Sequence, residues 1–433
     1  MSKFKIKKRP YIGLFLLFVC ISCLYSKKDD SPKISAIEFK GNVRSLDYIV
    51  EREIQHPLNI SLDSTIANED RNRLENLGLF SEVFWRSIPI EDGTSILSFT
   101  LKESIQKTPP IALPNFKEDT GWSLVGFWLI NNFRGRNQSL IIGGSVGGED
   151  TYGVSFSDPW IFGNHVSLDF QIGRTIYKHS FLNRDIDVNS LKINFGKWFG
   201  NHIKSSAGFE LESKIFRNEI DKDKYFYAAP FSSIKYDTRD IFWNPGKGMQ
   251  LSQFFYYSSG IDPKNIWTLL WNQSYSWFAT LNKGEKKLVL AMNGSVKRKF
   301  GNKEELWLNY FGGSSTVRGW ALPDTSLYYS RIESFRFGHE FVHASMELRY
   351  EVIPKFATSL GTELGLVFVL FSDIGTMAPS WNTIPNQIPI YGTGLGIRVP
   401  FPLVNVVRVD YGWGYRNGSW NAGAIHLGVE QKF

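Results

Sequence analysis

From residue 121 to 433 the chain reads as about sixteen segments of roughly nine to fifteen residues with strand character, and many alternate apolar and polar side chains. In 343–350, Ala344, Met346, Leu348 and Tyr350 share one face and His343, Ser345, Glu347 and Arg349 the other. In 405–413, Val407, Val409, Tyr411 and Trp413 lie opposite Arg408 and Asp410. In 288–297 the apolar face is Leu288, Leu290, Met292 and Val296, and in 267–277 it is Trp267, Leu269, Trp271, Tyr275 and Trp277. A soluble sandwich alternates too. These segments, however, reach the about 9–11 residues that a tilted strand needs to cross a membrane. Their second face is polar or charged in strand after strand, as a wet lumen allows. The chain ends with Ile425, Leu427, Val429 and Phe433 in one register. In lipid every backbone group must find a partner, and a sheet achieves that only by closing. The pattern predicts an all-β transmembrane barrel of about sixteen antiparallel strands over 119–433.

The rest of the chain fits an exported protein. Five basic residues (Lys3, Lys5, Lys7, Lys8, Arg9) precede an apolar run from Tyr11 to Ile21, too short to span a bilayer. Residues 1–26 are therefore expected to be a cleaved signal peptide. Both cysteines, Cys20 and Cys23, lie inside it, so the mature chain is expected to hold no disulfide. Cys23 follows Ile21-Ser22 in a loose lipoprotein box, with Cys20 where leucine is usual. The 49 basic residues less those five leave 44 against 42 acidic ones, so no nucleic-acid partner is expected.

Residues 33–104 read as a small α+β unit in the order β-α-α-β-β. Ser45 is a candidate cap for the first helix, the second starts near Asp63 and ends at Gly78, and the core includes Ile37, Ile49, Ile54, Leu74, Leu77, Phe80, Val83, Ile96 and Phe99. Residues 105–118, with Pro109, Pro110 and Pro114, read as a linker that leaves the unit hinged.

Several motifs imitate chemistry. Gly143-Gly-Ser-Val-Gly147 has the spacing of a nucleophile elbow, but it sits in a strand pattern with no helix after it. Gly392-Thr-Gly-Leu-Gly396 is a strand whose inward face is stripped to glycine, and Asp237-Thr-Arg-Asp240 is a charged strand end. No H-E-x-x-H or cysteine pair offers a metal site. No enzyme activity, metal or cofactor is expected.

The motif that survives is Gly312-Gly-Ser-Ser-Thr-Val-Arg-Gly-Trp320, between the eleventh and twelfth strands. Glycines on both sides let the backbone fold tightly and deliver Arg318 into a lumen. Glu347, on the polar face of the twelfth strand, and Asp373, in Phe371-Ser-Asp-Ile-Gly375 at the end of the thirteenth, are placed to receive it. A bidentate contact there would pin the loop.

Val317-Arg318-Gly319-Trp320 resembles the Val-Arg-Gly-aromatic loop motif of the BamA/TamA superfamily of outer-membrane assembly factors. Trp320 stands where Phe or Tyr is usual. Phe371-Ser-Asp-Ile-Gly375, Ser157-Asp-Pro-Trp-Ile-Phe-Gly163, Tyr236-Asp-Thr-Arg-Asp240 and Arg408-Val-Asp-Tyr-Gly412 are similar to other segments of that family. The 33–104 unit, with Leu77-Gly-Leu-Phe80 followed by Val83, resembles a POTRA domain. The resemblance implies a bacterial outer-membrane barrel with its POTRA domain in the periplasm, which inserts or translocates client outer-membrane or surface proteins. It implies that Arg318 pairs with Glu347 and Asp373, and that the first and last strands form a seam able to open sideways into lipid. With strand one starting near Gly121, an even strand count brings Ser123 against the segment Val429–Lys432 at the seam that Phe433 ends, and Gly428 is expected to weaken that pairing. Accessory periplasmic or lipoprotein subunits join clients and outer-membrane lipid as expected partners. Only one POTRA unit fits between 33 and 104, and no plug-like helix precedes it, so a transport pore or lipid-export channel stands as the alternative, and a surface antigen as a third reading.

Overall fold

The computed structural model describes residues 32–117, 119–163, 165–217, 222–261, 266–303, 308–357, 363–401 and 405–433. The expected signal peptide, with Cys20 and Cys23, lies outside them.

The amino-terminal unit runs β1 (Ile34–Lys40), α1 (Asp47–Glu51), α2 (Ser64–Asn76), β2 (Phe80–Pro89) and β3 (Ser95–Glu103), the order that its sequence predicts. Its sheet is ordered β1-β3-β2, with β1 parallel to β3. Asp63 caps α2 by accepting from the Thr65 and Ile66 amides at 2.8 and 3.3 Å, and Gly78, at φ 70°, ends it. Ile34, Ile49, Val50, Ala67, Leu74, Leu79, Phe80, Val83, Leu97, Phe99 and Leu101 form the core, with Ile37, Ile54 and Leu77 packed at its edge. Two expectations fail. Leu97 rather than Ile96 faces inward. Ser45 caps nothing, because its hydroxyl is spent on Glu103, 2.9 Å away, and the helix behind it has only five residues.

The large sheet begins earlier than expected, at β4 (Ile111–Lys117). It continues through β5 (Gly121–Phe133), β6 (Gln138–Gly147), β7 (Glu149–Asp158), β8 (Val166–Lys178), β9 (Asp185–Phe199) and β10 (Ile203–Arg217). Then come β11 (Lys222–Asp237), β12 (Gly248–Gly260), β13 (Trp267–Thr280) and β14 (Leu288–Gly301). A long excursion follows, holding β15 (Asn309–Tyr310), α3 (Thr325–Ser330) and β16 (Phe337–Gly338). The sheet resumes with β17 (Glu340–Ala357), β18 (Glu363–Ala378), β19 (Ile390–Phe401), β20 (Asn405–Arg416), the two-residue β21 (Ser419–Trp420) and β22 (Ala424–Val429). Apart from β21, sixteen strands belong to this sheet among the described residues. Antiparallel ladders join each to the next from β4 to β22, and the order of neighbours closes on itself with β22 beside β4. No ladder register joins that last pair among the described residues.

The segment expected to be a linker is thus the first strand. Proline is excluded from central strands because it lacks an amide proton, but an edge tolerates it, and Pro114 pairs with Leu124 on a strand at the seam. Neither is the amino-terminal unit hinged. The Thr108 amide bonds Leu129 O at 3.0 Å, and the buried Gln106 side chain accepts from Asn132 at 2.9 Å. The unit docks on four turns of one rim. The Leu46 amide meets Gly135 O, Arg52 lies 4.3 Å above the Trp160 ring, and Gln55 exchanges two amide bonds with Asn201 at 2.9 and 3.0 Å. Asn76 donates to Asp240 O at 3.1 Å and accepts from the Phe242 amide at 2.9 Å.

Outward-facing positions around the large sheet expose Trp122, Leu124, Ile172, Phe195, Phe209, Ile234, Phe255, Trp267, Met292, Met346, Leu370, Leu395, Ile425 and many others. An apolar surface of that extent has no place in water, where continuous patches rarely exceed a few hundred Å².

Candidate functional site

The excursion between β14 and β17 turns inward where its sequence removes side chains. Gly312, Gly313 and Gly319 take φ of 127°, 82° and 87°, which disfavour any L side chain. Thr316 Oγ1 accepts from the Gly312 amide at 2.9 Å, and the Gly313 amide reaches Trp320 O at 2.8 Å, closing the loop upon itself. The wall that receives it is stripped as well. A Cβ on Gly392 would overlap the Arg318 carbonyl, one on Gly375 would lie 2.9 Å from Val317, and one on Gly414 would lie 2.5 Å from the Trp320 indole. Val317 is buried beside Phe311, Met377 and Ile390, and the Trp320 indole donates to Tyr391 O at 2.8 Å.

Arg318 is completely buried. Its Nε and Nη2 bind Asp373 Oδ2 and Oδ1 at 2.8 and 3.0 Å, a bidentate grip to which its own amide adds a third bond at 3.0 Å. Nη1 donates to Glu347 Oε1 at 2.6 Å and to Asp410 Oδ2 at 3.2 Å. The guanidinium lies 3.7 Å from the centre of the Phe371 ring.

A second circle holds the acceptors. Arg349 Nε donates to Glu347 Oε2 at 2.8 Å, and Arg398 bridges Asp410 and Glu347 at 2.6 and 3.2 Å. Lys432 Nζ sits 2.8 Å from Asp373 Oδ2 and donates to Ser345 Oγ at 2.9 Å and to Thr316 O. The Gly319 amide donates to His426 Nε2 at 2.8 Å, and Arg408 Nη1 holds Ser314 O at 2.9 Å. The three carboxylates face Arg318, Arg349, Arg398 and Lys432, so each buried charge has an opposite partner. Among the described residues no three His, Cys, Asp or Glu side chains converge as metal ligands. The arrangement fastens a loop, and strands β17, β18, β19, β20 and β22 all contribute.

Arg318, Glu347 and Asp373 therefore meet, with Val317, Gly319 and Trp320 seating the loop around them. Asp410, Arg398, Lys432 and His426 were missed. Asp410 stood on the polar face of 405–413 opposite Val409, but alternation alone does not say which polar residue an arginine across the interior will reach.

The seam residues need correction. Ser123 pairs with Asn115 on one side and Gly147 on the other, so β4 stands between it and β22. Val429 is the last residue in the ladder register, opposite Val407. Gly428 pairs with Arg408, and a Cβ there would lie 2.6 Å from Arg408 Nε, so this glycine makes room for an arginine. Phe433 leaves the outward register. Glu430 takes φ 64°, turning the last residues inward, and the Phe433 ring lies tilted, 6.3 Å from that of buried Phe278.

The sequence profile of the Omp85 superfamily domain matches residues 132–433. The outer membrane protein assembly factor BamA of Neorickettsia risticii is 24% identical over 236 residues, which cover 46% of this chain and 32% of that relative, so the match spans about a third of its length. Among solved structures, BamA from Haemophilus ducreyi lacking POTRA domains 1–3 is similar at a TM-score of 0.54 and 16% identity, over 92% of this chain and 83% of that one. CdiB from Acinetobacter baumannii is similar at 0.56 and 14%, over 93% and 74%.

Proposed function

Because the chain belongs to the Omp85 superfamily, we propose that it is an outer-membrane protein assembly or translocation factor. Residues 33–104 are a periplasmic POTRA domain, and the sixteen strands from β4 to β22 are its transmembrane barrel. The apolar outer surface supports the membrane, and the rim that carries the amino-terminal unit is then the periplasmic one.

The observation that carries the function is the contrast between a fastened loop and short seam strands. β4 and β22 have seven and six residues, against ten to eighteen in the other strands of the barrel. Pro114 gives the seam no amide proton. An opened seam presents unpaired donors and acceptors that a client strand can satisfy. The edge strand β2, with Phe84 exposed, offers a second place for an extended client segment. The loop held by Arg318 keeps the barrel interior structured while the seam works, so no cofactor is needed.

The test is capture. Photoreactive residues at positions 114 and 427, one on each seam strand, should crosslink to an outer-membrane client during its assembly in vesicles. Crosslinks that never form, together with ion conductance in the native chain as high as in a loop deletion, would replace this reading with a transport pore.

A further inference from the structure

The junction between the amino-terminal unit and the barrel holds a cavity of about 570 Å³, lined by Tyr48, Glu51, Arg52, Arg136, Gln138, Asp158 and Trp160 among others. Two of these present buried polar atoms without a hydrogen-bond partner. Arg52 Nε and Nη2 have none, although Glu53 Oε1 is 3.4 Å from Nε. Gln138 has none at Oε1, although its Nε2 is held by Asp158 at 2.6 Å. The Arg52 side chain is only 11% exposed, pressed on the Trp160 ring. Burial pulls its pKa below the ordinary arginine value, against the opposing influence of Glu53. Buried donors and acceptors left open are costly unless something binds them.

The cavity asks for one ligand with two poles. Among its lining residues Arg52 and Arg136 are cations, Glu51 and Asp158 are anions, and Gln138 is a neutral amide. Its walls come from α1, the C-cap of α1, and the β5–β6 and β7–β8 connections with their strand ends. An extended peptide would find no free strand edge there to pair with. Beside it, Phe162 is 73% exposed and stacks on Phe195 at 6.4 Å, part of the apolar outer surface. We infer that this junction binds the zwitterionic headgroup of a phospholipid from the periplasmic leaflet. The phosphate lies on Arg52 and Arg136, the ammonium lies toward Asp158, Glu51 and Gln138 Oε1, and the acyl chains run over Phe162 and Phe195. A lipid so placed touches both the docked unit and the barrel, and couples the position of that unit to the membrane. The inference rests on the membrane reading above.

The test uses the full chain, purified in detergent, exchanged into vesicles of phosphatidylethanolamine with phosphatidylglycerol, re-extracted, and examined by native mass spectrometry. One phosphatidylethanolamine per chain should survive extraction, in at least fivefold preference to phosphatidylglycerol. Arg52→Gln should lose the retained lipid and Gln138→Leu should abolish the preference, while in both the barrel keeps its heat-modifiable mobility. Equal retention of the two lipids by an inserted native chain overturns the site and leaves the membrane reading intact. So does an Arg52→Gln chain that retains lipid as the native one does, or a peptide found in place of lipid. A chain that never enters vesicles overturns both.

Discussion

Lys432, the penultimate residue, places its ammonium 2.8 Å from Asp373 Oδ2, the oxygen that also receives Arg318 Nε. The end of the last strand and the inward loop therefore share one carboxylate. Lys432 also donates to Thr316 O, in the loop itself. A movement of the seam strand that withdrew Lys432 would loosen the loop at the same time.

Replacing Arg318 with alanine leaves Asp373, Glu347 and Asp410 without their common cation. Removing one partner of an enclosed charged network costs about 3–5 kcal/mol, less where water enters the lumen. Single-channel conductance should rise and client assembly should fall. Arg318→Lys should recover only part of the activity, since an ammonium cannot reproduce the bidentate grip on Asp373 while also reaching Glu347 and Asp410.

Gly392→Val tests the same lock without touching a charge. Its side chain would overlap the Arg318 carbonyl, and overpacking of this kind costs about 1–3 kcal/mol. The loop should leave its seat and conductance should rise as it does in Arg318→Ala. Unchanged conductance in a correctly inserted barrel would show that the stripped wall is not what admits the loop.

Lys432→Met should be milder. Arg318 still satisfies both Asp373 oxygens, so a loss of about 1–3 kcal/mol is expected. The informative readout is the tail. The Phe433 ring, 6.3 Å from that of Phe278 in the native chain, should be labelled more readily by hydroxyl radicals in the variant.

Cysteine pairs should be placed between β4 and β22. Ala112 and Phe116 lie on the outward face of β4, and Ile425 and Leu427 on that of β22. At least one pairing should bring Cα atoms within the about 4.4–6.8 Å that a disulfide needs. Assembly should stop on oxidation and resume on reduction. Full activity in the locked state would mean that the protein works as a closed pore.

Gln55→Ala combined with Asn76→Ala removes the side-chain bonds to the β9–β10 and β11–β12 turns. Each such bond contributes about 0.5–1.5 kcal/mol. Spin-label distances between the amino-terminal unit and the barrel should broaden in the double variant and be narrow in the native chain. Deleting 33–104 should leave the barrel inserted but inactive.

Much of this was written locally. Alternation with period two marks a strand wherever it occurs, so the sheet and the β-α-α-β-β unit follow from short windows of sequence, whereas the first strand of the sheet does not. The glycines around Arg318 announce an unusual backbone, and Glu347 and Asp373 declare polar positions on apolar strands. Other features depend on what lies across the interior. Pro114 reads as a breaker until the fold puts β4 at an edge, where a missing amide proton costs little. Glu430 gives no hint in sequence that it turns Lys432 inward, because the attraction comes from Asp373, 59 residues away. Asp410 and Arg398 join Arg318 because sheet curvature carries β19 and β20 around to face the loop. Docking of the amino-terminal unit is likewise decided by pairs such as Gln55 and Asn201, 146 residues apart. Periodicity constrains each strand separately, whereas the closing of the sheet sets which side chains meet.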